Sequence, residues 1–108
     1  MQTANDAMAT GVVEALAAAN RKALVVGING SKEAVDLIKA GKMHASGSSD
    51  PFMQGCLGML TTVRALRNMP IAKELMVTPV IIDSTNYKDH DVPIESRSCP
   101  KIDDVAAK

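Results

Sequence analysis

The chain has 108 residues, the size of one small domain or part of one. Hydrophobic residues make up 46% and charged residues 22%, as expected for a soluble globular chain. Twelve basic residues balance twelve acidic ones, which excludes the basic excess that nucleic acid or an anionic membrane surface requires.

The first predicted element is a helix, "NDAMATGVVEALAAANRK". Asn5 or Asp6 can cap it, and Asp6 suits the positive end of the dipole. Met8, Val12, Leu16 and Ala19 recur at helical spacing and are expected to face inward. Asn20 is a plausible stop. "ALVVGI" then reads as a short buried parallel strand that ends on glycine. Ser31 caps a second helix, "SKEAVDLIKA", with Ala34, Leu37 and Ile38 inward and Gly41 after its end. "KMHASG" is a second strand. Asp50 and Pro51 open a third helix that runs to about Asn68, a pairing of cap and first position that both residues favour. Its apolar stripe is Phe52, Cys56, Met59, Leu60, Val63 and Leu66, and Gly55 and Gly58 leave room for close packing. "VTPVIID" is a third strand, which Pro79 marks as an edge or a strand start. The polar remainder, broken by two prolines, reads as a loosely packed tail with "KDHD" (88–91) a solvated turn and a short last helix from Ile102.

Helix and strand alternate, so the class is α/β with a mostly parallel sheet. The chain opens at a helix cap, where a doubly wound unit has a preceding strand ending near Thr3; this start looks truncated. Phe52 and Tyr87 are the only aromatics, so Ala, Val, Leu, Ile and Met build the core. Cys56 and Cys99 are too few for a disulfide framework and read as free thiols. His44 and His90 lie far apart and no CxxC is present, so no metal site is expected. No cofactor is implied. "MQTANDAMATG" lacks the basic start and apolar run of a signal peptide.

Two corners carry small polar residues. "VVGINGS" has glycines after a strand, but neither GxGxxG nor a GK[ST] ending, so it reads as a turn with a serine cap. "HASGSSDP" holds His44, Ser46, Ser48, Ser49 and Asp50, yet no serine sits in a GxSxG elbow, so no catalytic residue is assigned and the chain is not expected to be an enzyme. A binding reading fits better. Asn5, Asn29 and Ser49 each follow a strand end, where open α/β sheets bind ligands. Asn and Ser offer neutral donors and acceptors that suit a polyhydroxylated ligand. Taken singly, Asn5 can be only a cap and Asn29 only a turn residue.

"QTANDAMATGVVEAL", "ALVVGINGSKEAVDLIKAGKMHAS" and "SSDPFMQGCLGM" resemble the C-terminal part of periplasmic sugar-binding proteins of the ribose- and galactose-binding type, the type I solute receptors of ABC transporters. The resemblance runs from about Gln2 to Ser84. It implies a truncated Rossmann-like lobe and a non-catalytic sugar or polyol receptor that serves an ABC permease. Asn5 would contact the sugar, Asn29 would replace the acidic residue common at its place, and Ser49 the common glutamine. Ser49, Asp50 and Pro51 would form a hinge crossing. The implied organisation is 1–48 in the C-terminal lobe, 49–78 the crossing and a helix of the other lobe, and 79–108 the returning strand and polar tail. The parent protein would be periplasmic. The isolated chain, holding half a cleft and an uncovered helix stripe, would bind sugar poorly and form a homo-oligomer. The alternative is the effector-binding region of a LacI-type regulator. It lacks support from "INGSKEAVDLIKAGK", where such regulators carry an acidic pair, and its LTT segment (60–62) falls inside the third helix.

Overall fold

In the computed structural model, which describes residues 1–102, Asn5 starts the first helix. It lies in extended backbone, and its side-chain oxygen accepts from the Met8 amide at 2.9 Å, so α1 (Asp6–Ala18) begins one residue later. Asn20, at φ 50°, turns the chain out of the helix in the left-handed region that asparagine tolerates. β1 (Val26–Ile28) follows. Ser31 caps α2 (Lys32–Lys39) by accepting from the Ala34 amide at 3.1 Å, and Gly41, at φ 74°, ends it. β2 (Ala45–Ser48), α3 (Pro51–Leu66), β3 (Val80–Asp83), α4 (Tyr87–His90) and a 3-10 turn, Ile94–Ser96, complete the order.

These elements form two units: Met1–Ser49 with Pro79–Val92, and Asp50–Thr78 with the segment from Pro93 onward. In the first, β1 pairs parallel with β2, Val26 opposite Ala45. β2 pairs antiparallel with β3, Ser46 opposite Ile82. The order β1-β2-β3 leaves β3 on an edge, as Pro79 suggested. Gln2 bridges Val26 in parallel, and the Thr3 amide donates to the Val26 carbonyl at 3.0 Å. Residues 1–3 therefore run parallel to β1 beside it. The sheet is mixed: its parallel members are those the alternation implied, and β3 adds an antiparallel edge.

Ala9, Val13, Val25, Val35, Ile38 and Ile82 lie at the centre of this unit's core. The expected inward face of α1 holds in part: Val12 and Leu16 pack against the core, but the most buried line runs one residue further on. Ala9 and Val13 are buried with Asp6, whereas Met8 is 54% exposed. The cause is polar: Asp6 takes the inward place in the first turn, and its three- and seven-residue spacing then selects Ala9 and Val13. In α2, Val35 takes the buried place expected of Leu37, which packs at the core's margin. The "KDHD" stretch is largely α4 rather than a turn; Tyr87 packs on the core, and Asp91 meets Lys32 at 3.3 Å.

In the second unit Asp50, at φ 51°, accepts from the Met53 amide at 3.1 Å and so caps α3, with Pro51 in its first turn. The tail is fastened to this helix and does not pack loosely. Cys99 is disulfide-bonded to Cys56, with Cα atoms 5.5 Å apart, which overturns the reading of both as free thiols. The Arg97 guanidinium carbon lies 4.5 Å from the Phe52 ring centroid. Geometry explains why both contacts form. Phe52 and Cys56 are four residues apart on one helix face, a rise of about 6 Å. Arg97 lies in extended backbone, where residues two apart share a side at about 6.6 Å. The two spacings match. Buried Arg64 donates to the carbonyls of Pro70 and Ile102, each at 2.8 Å. Among the described residues nothing approaches the missing Cβ positions of Gly55 and Gly58 within 4 Å, so no close neighbour there accounts for these glycines. Beyond Ile102, the expected last helix lies outside the described residues.

Candidate binding site

Asn5 and Asn29, each at the carboxyl end of a parallel segment, line one open depression of about 600 Å³. Asp6, Thr10, Ser31 and Glu33 line it with them. Ser49, the third expected rim residue, is half-buried at the end of the first unit and does not line this depression. The structure thus brings two of the three together. Their amides offer donors and acceptors without charge, and the exposed Glu33 adds a carboxylate nearby.

Asn29 reaches this place through an unusual backbone. Its φ is 125°, a value that favours glycine, and Gly30 follows at φ 67°. A side chain at 30 would bring its Cβ within 2.6 Å of the Ser48 Cβ. Conformations of this kind persist where the surroundings hold them and cluster at ligand sites.

Asp6 is hydrogen-bonded to the segment that follows this turn. It is 3% exposed. Its Oδ2 accepts from the Ser31 amide at 2.8 Å, and its Oδ1 accepts from the Ser46 hydroxyl at 2.7 Å. The Ser46 oxygen in turn accepts from the Gly30 amide at 3.0 Å. Asp6 and Ser46 were not recognisable as site-building residues in the sequence. In the sequence Asp6 reads as a possible cap or a first-turn acid that suits the helix dipole, and Ser46 as a strand residue. The one available signal was Gly27 inside a strand: a Cβ there would lie 2.4 Å from Asp6 Oδ1, so its absence makes room for a buried carboxylate.

The same network disposes of the catalytic option for Ser46. Ser46 is 1% exposed, its hydroxyl is engaged by both Asp6 and Gly30, and His44 is exposed.

Comparison with known proteins agrees with this architecture. The profile described as "Periplasmic binding protein domain" matches residues 1–69. Ribose import binding protein RbsB of Haemophilus influenzae is 36% identical over 78 residues, which is 72% of this chain and 27% of that protein. An ABC transporter solute-binding protein of Actinobacillus succinogenes, solved with bound D-allose, superposes with a TM-score of 0.76 at 30% identity, over 82% of this chain and 32% of its own. The Caulobacter myo-inositol binding protein, bound to myo-inositol, gives 0.75 at 32% identity, over 82% and 31%. The chain therefore spans less than a third of each of these relatives. With the profile covering residues 1–69 and the backbone following these receptors, the chain belongs to the periplasmic binding protein family.

Proposed function

We propose that this chain is part of the C-terminal lobe of a sugar or polyol receptor for ABC-type import, with Asn5 and Asn29 binding ligand hydroxyls. The observation that carries the reading is the convergence of these two amides on one depression at neighbouring parallel strand ends. The ligands in the related structures, D-allose and myo-inositol, are polyhydroxylated and uncharged, which matches a rim of neutral amides. Ser49 contacts the ligand from the crossing formed by Ser49, Asp50 and Pro51. The passage of the chain from one unit to the other after Ser49 and the left-handed Asp50 support that assignment. The receptor is periplasmic, non-catalytic, and delivers its solute to a permease. That the relatives named above are binding proteins of transporters favours this over the transcriptional regulator.

The chain alone presents one lip of the cleft and binds sugar weakly. It self-associates, since Met59, Leu66 and Met76 are 68%, 79% and 86% exposed. A monodisperse monomer in sedimentation would count against self-association.

Calorimetry of the full-length receptor against D-ribose, D-allose, myo-inositol and glycerol tests the site. Asn5→Ala and Asn29→Ala should each weaken the best ligand by about tenfold, the cost of an unmade hydrogen bond in a closed site. Wild-type affinity in both variants would remove these residues from the site.

A further inference from the structure

We propose that the Asp6 carboxylate is a positioning residue, which holds the Asn29 backbone in its left-handed turn and so keeps the Asn29 amide on the rim beside Asn5. The importance of that rim rests on the binding role proposed above; the hold on the turn does not.

The turn has three backbone amides, and each is engaged. The Asn29 amide donates to the Gly47 carbonyl at 2.8 Å. The next two both lead to Asp6: Ser31 directly at Oδ2, and Gly30 through the Ser46 hydroxyl at Oδ1. Ser46 donates and accepts in the same chain, so each bond polarises the next. Asp6 is 3% exposed, and bonds to an ionised acceptor are roughly twice as strong as neutral ones. A simpler role, stabilising the start of α1, does not account for this geometry. Asn5 is the residue whose side chain caps that helix, through the Met8 amide. Both Asp6 oxygens reach instead toward other elements, one to the turn after β1 and one to β2. Gly27 leaves open the space that the carboxylate occupies. Thr3 fixes the approach of α1: its hydroxyl lies within 3.0 Å of the Val26 carbonyl and 2.9 Å of the Asn5 carbonyl.

The test uses the 108-residue chain by NMR, with Asp6→Asn and Ser46→Ala. Asp6→Asn keeps the shape but removes one acceptor and the charge. Hydrogen exchange at Ser31 and Gly30 should accelerate by about tenfold or more. The three-bond amide–Hα coupling of Asn29, which reports φ, should change as well. The β1–β2 ladder amides should keep their protection. Ser46→Ala should accelerate Gly30 and leave Ser31 protected, and it remains informative if Asp6→Asn fails to fold. Wild-type exchange at Gly30 and Ser31 with an unchanged Asn29 coupling overturns the proposal. So does a uniform loss of protection across the sheet with the Asn29 coupling retained, which marks a purely structural role. Failure of the full-length receptor to bind any of the four solutes would sink the binding role alone, because the exchange result does not depend on ligand.

Discussion

Asp50 and Arg97, 47 residues apart, meet through both carboxylate oxygens at 2.9 and 3.0 Å, and the Asp50 Oδ1 also accepts from the Met53 amide. One side chain therefore both starts α3 and receives the tail. The pair is partly exposed, 33% for Arg97 and 29% for Asp50, so solvent screens it. Arg97→Ala should lower stability by about 1 kcal/mol or less, counting the stacking on Phe52. The deficit should shrink in high salt, as far as the ion pair supplies it. Denaturant unfolding at low and high salt checks this; a salt-independent loss would assign the effect to the ring contact.

The disulfide outweighs that pair. It closes a loop of 43 residues, for which chain entropy alone gives about 4 kcal/mol. Cys99→Ser should therefore cost several times what Arg97→Ala costs. Exchange should rise first at α3 amides, while the β1–β2 ladder, in the other unit, changes little. Equal losses in the two variants would mean that the non-covalent contacts hold the tail as firmly as the bond does.

Local signals were legible in the sequence, and contacts between distant segments were not. Asn5, Ser31 and Asp50 were readable as caps because a cap acts three residues ahead, within one window. Asn20 and Gly41 were readable as stops for the same reason. The parallel set was readable from the alternation of elements, down to the segment ending at Thr3. The inward face of α1 was legible only in part: Val12 and Leu16 do pack on the core, but the most buried line runs through a polar residue, Asp6, which apolar spacing does not count. The bond between Cys56 and Cys99 has no local signature, since a separation of 43 says nothing about proximity. The site divides the same way. Strand ends point to Asn5 and Asn29, but Asp6 and Ser46 act 40 residues apart and only the fold brings them together.

Gly27 and Gly58 should respond in opposite directions to alanine. At Gly27 a Cβ would meet Asp6 Oδ1 at 2.4 Å, Met43 Cε at 2.7 Å and Ala9 Cβ at 3.2 Å. Met43 can swing aside, but the Asp6 oxygen is held by Ser46, so Gly27→Ala should destabilise by about 1–3 kcal/mol. At Gly58, within α3, a Cβ meets nothing within 4 Å among the described residues. Gly58→Ala should stabilise by about 0.5–1 kcal/mol by restricting the unfolded chain. Thermal midpoints of the two variants check the contrast. A neutral Gly27→Ala would show that the carboxylate has room to move.

Asp83, the last residue of β3, should titrate below its ordinary value of 3.8, chiefly because the Thr85 hydroxyl donates to it. Its Oδ1 accepts that hydroxyl at 2.6 Å and the Thr85 amide at 2.8 Å, closing the turn into α4. Both bonds favour the ionised form. The sign follows: a carboxyl whose folded pKa is depressed adds stability that is complete above its unfolded value. That stability is lost as pH falls through the lower folded value. The turn should hold at pH values where free carboxylates are already protonating, and open only below them. Following the Asp83 side-chain carbon and the Thr85 amide by NMR through the acid range measures both events. Thr85→Ala, which removes the hydroxyl and leaves the amide, should move the Asp83 midpoint back toward 3.8. An Asp83 midpoint at or above that value in the unaltered chain would show that the hydroxyl bond does not form in solution.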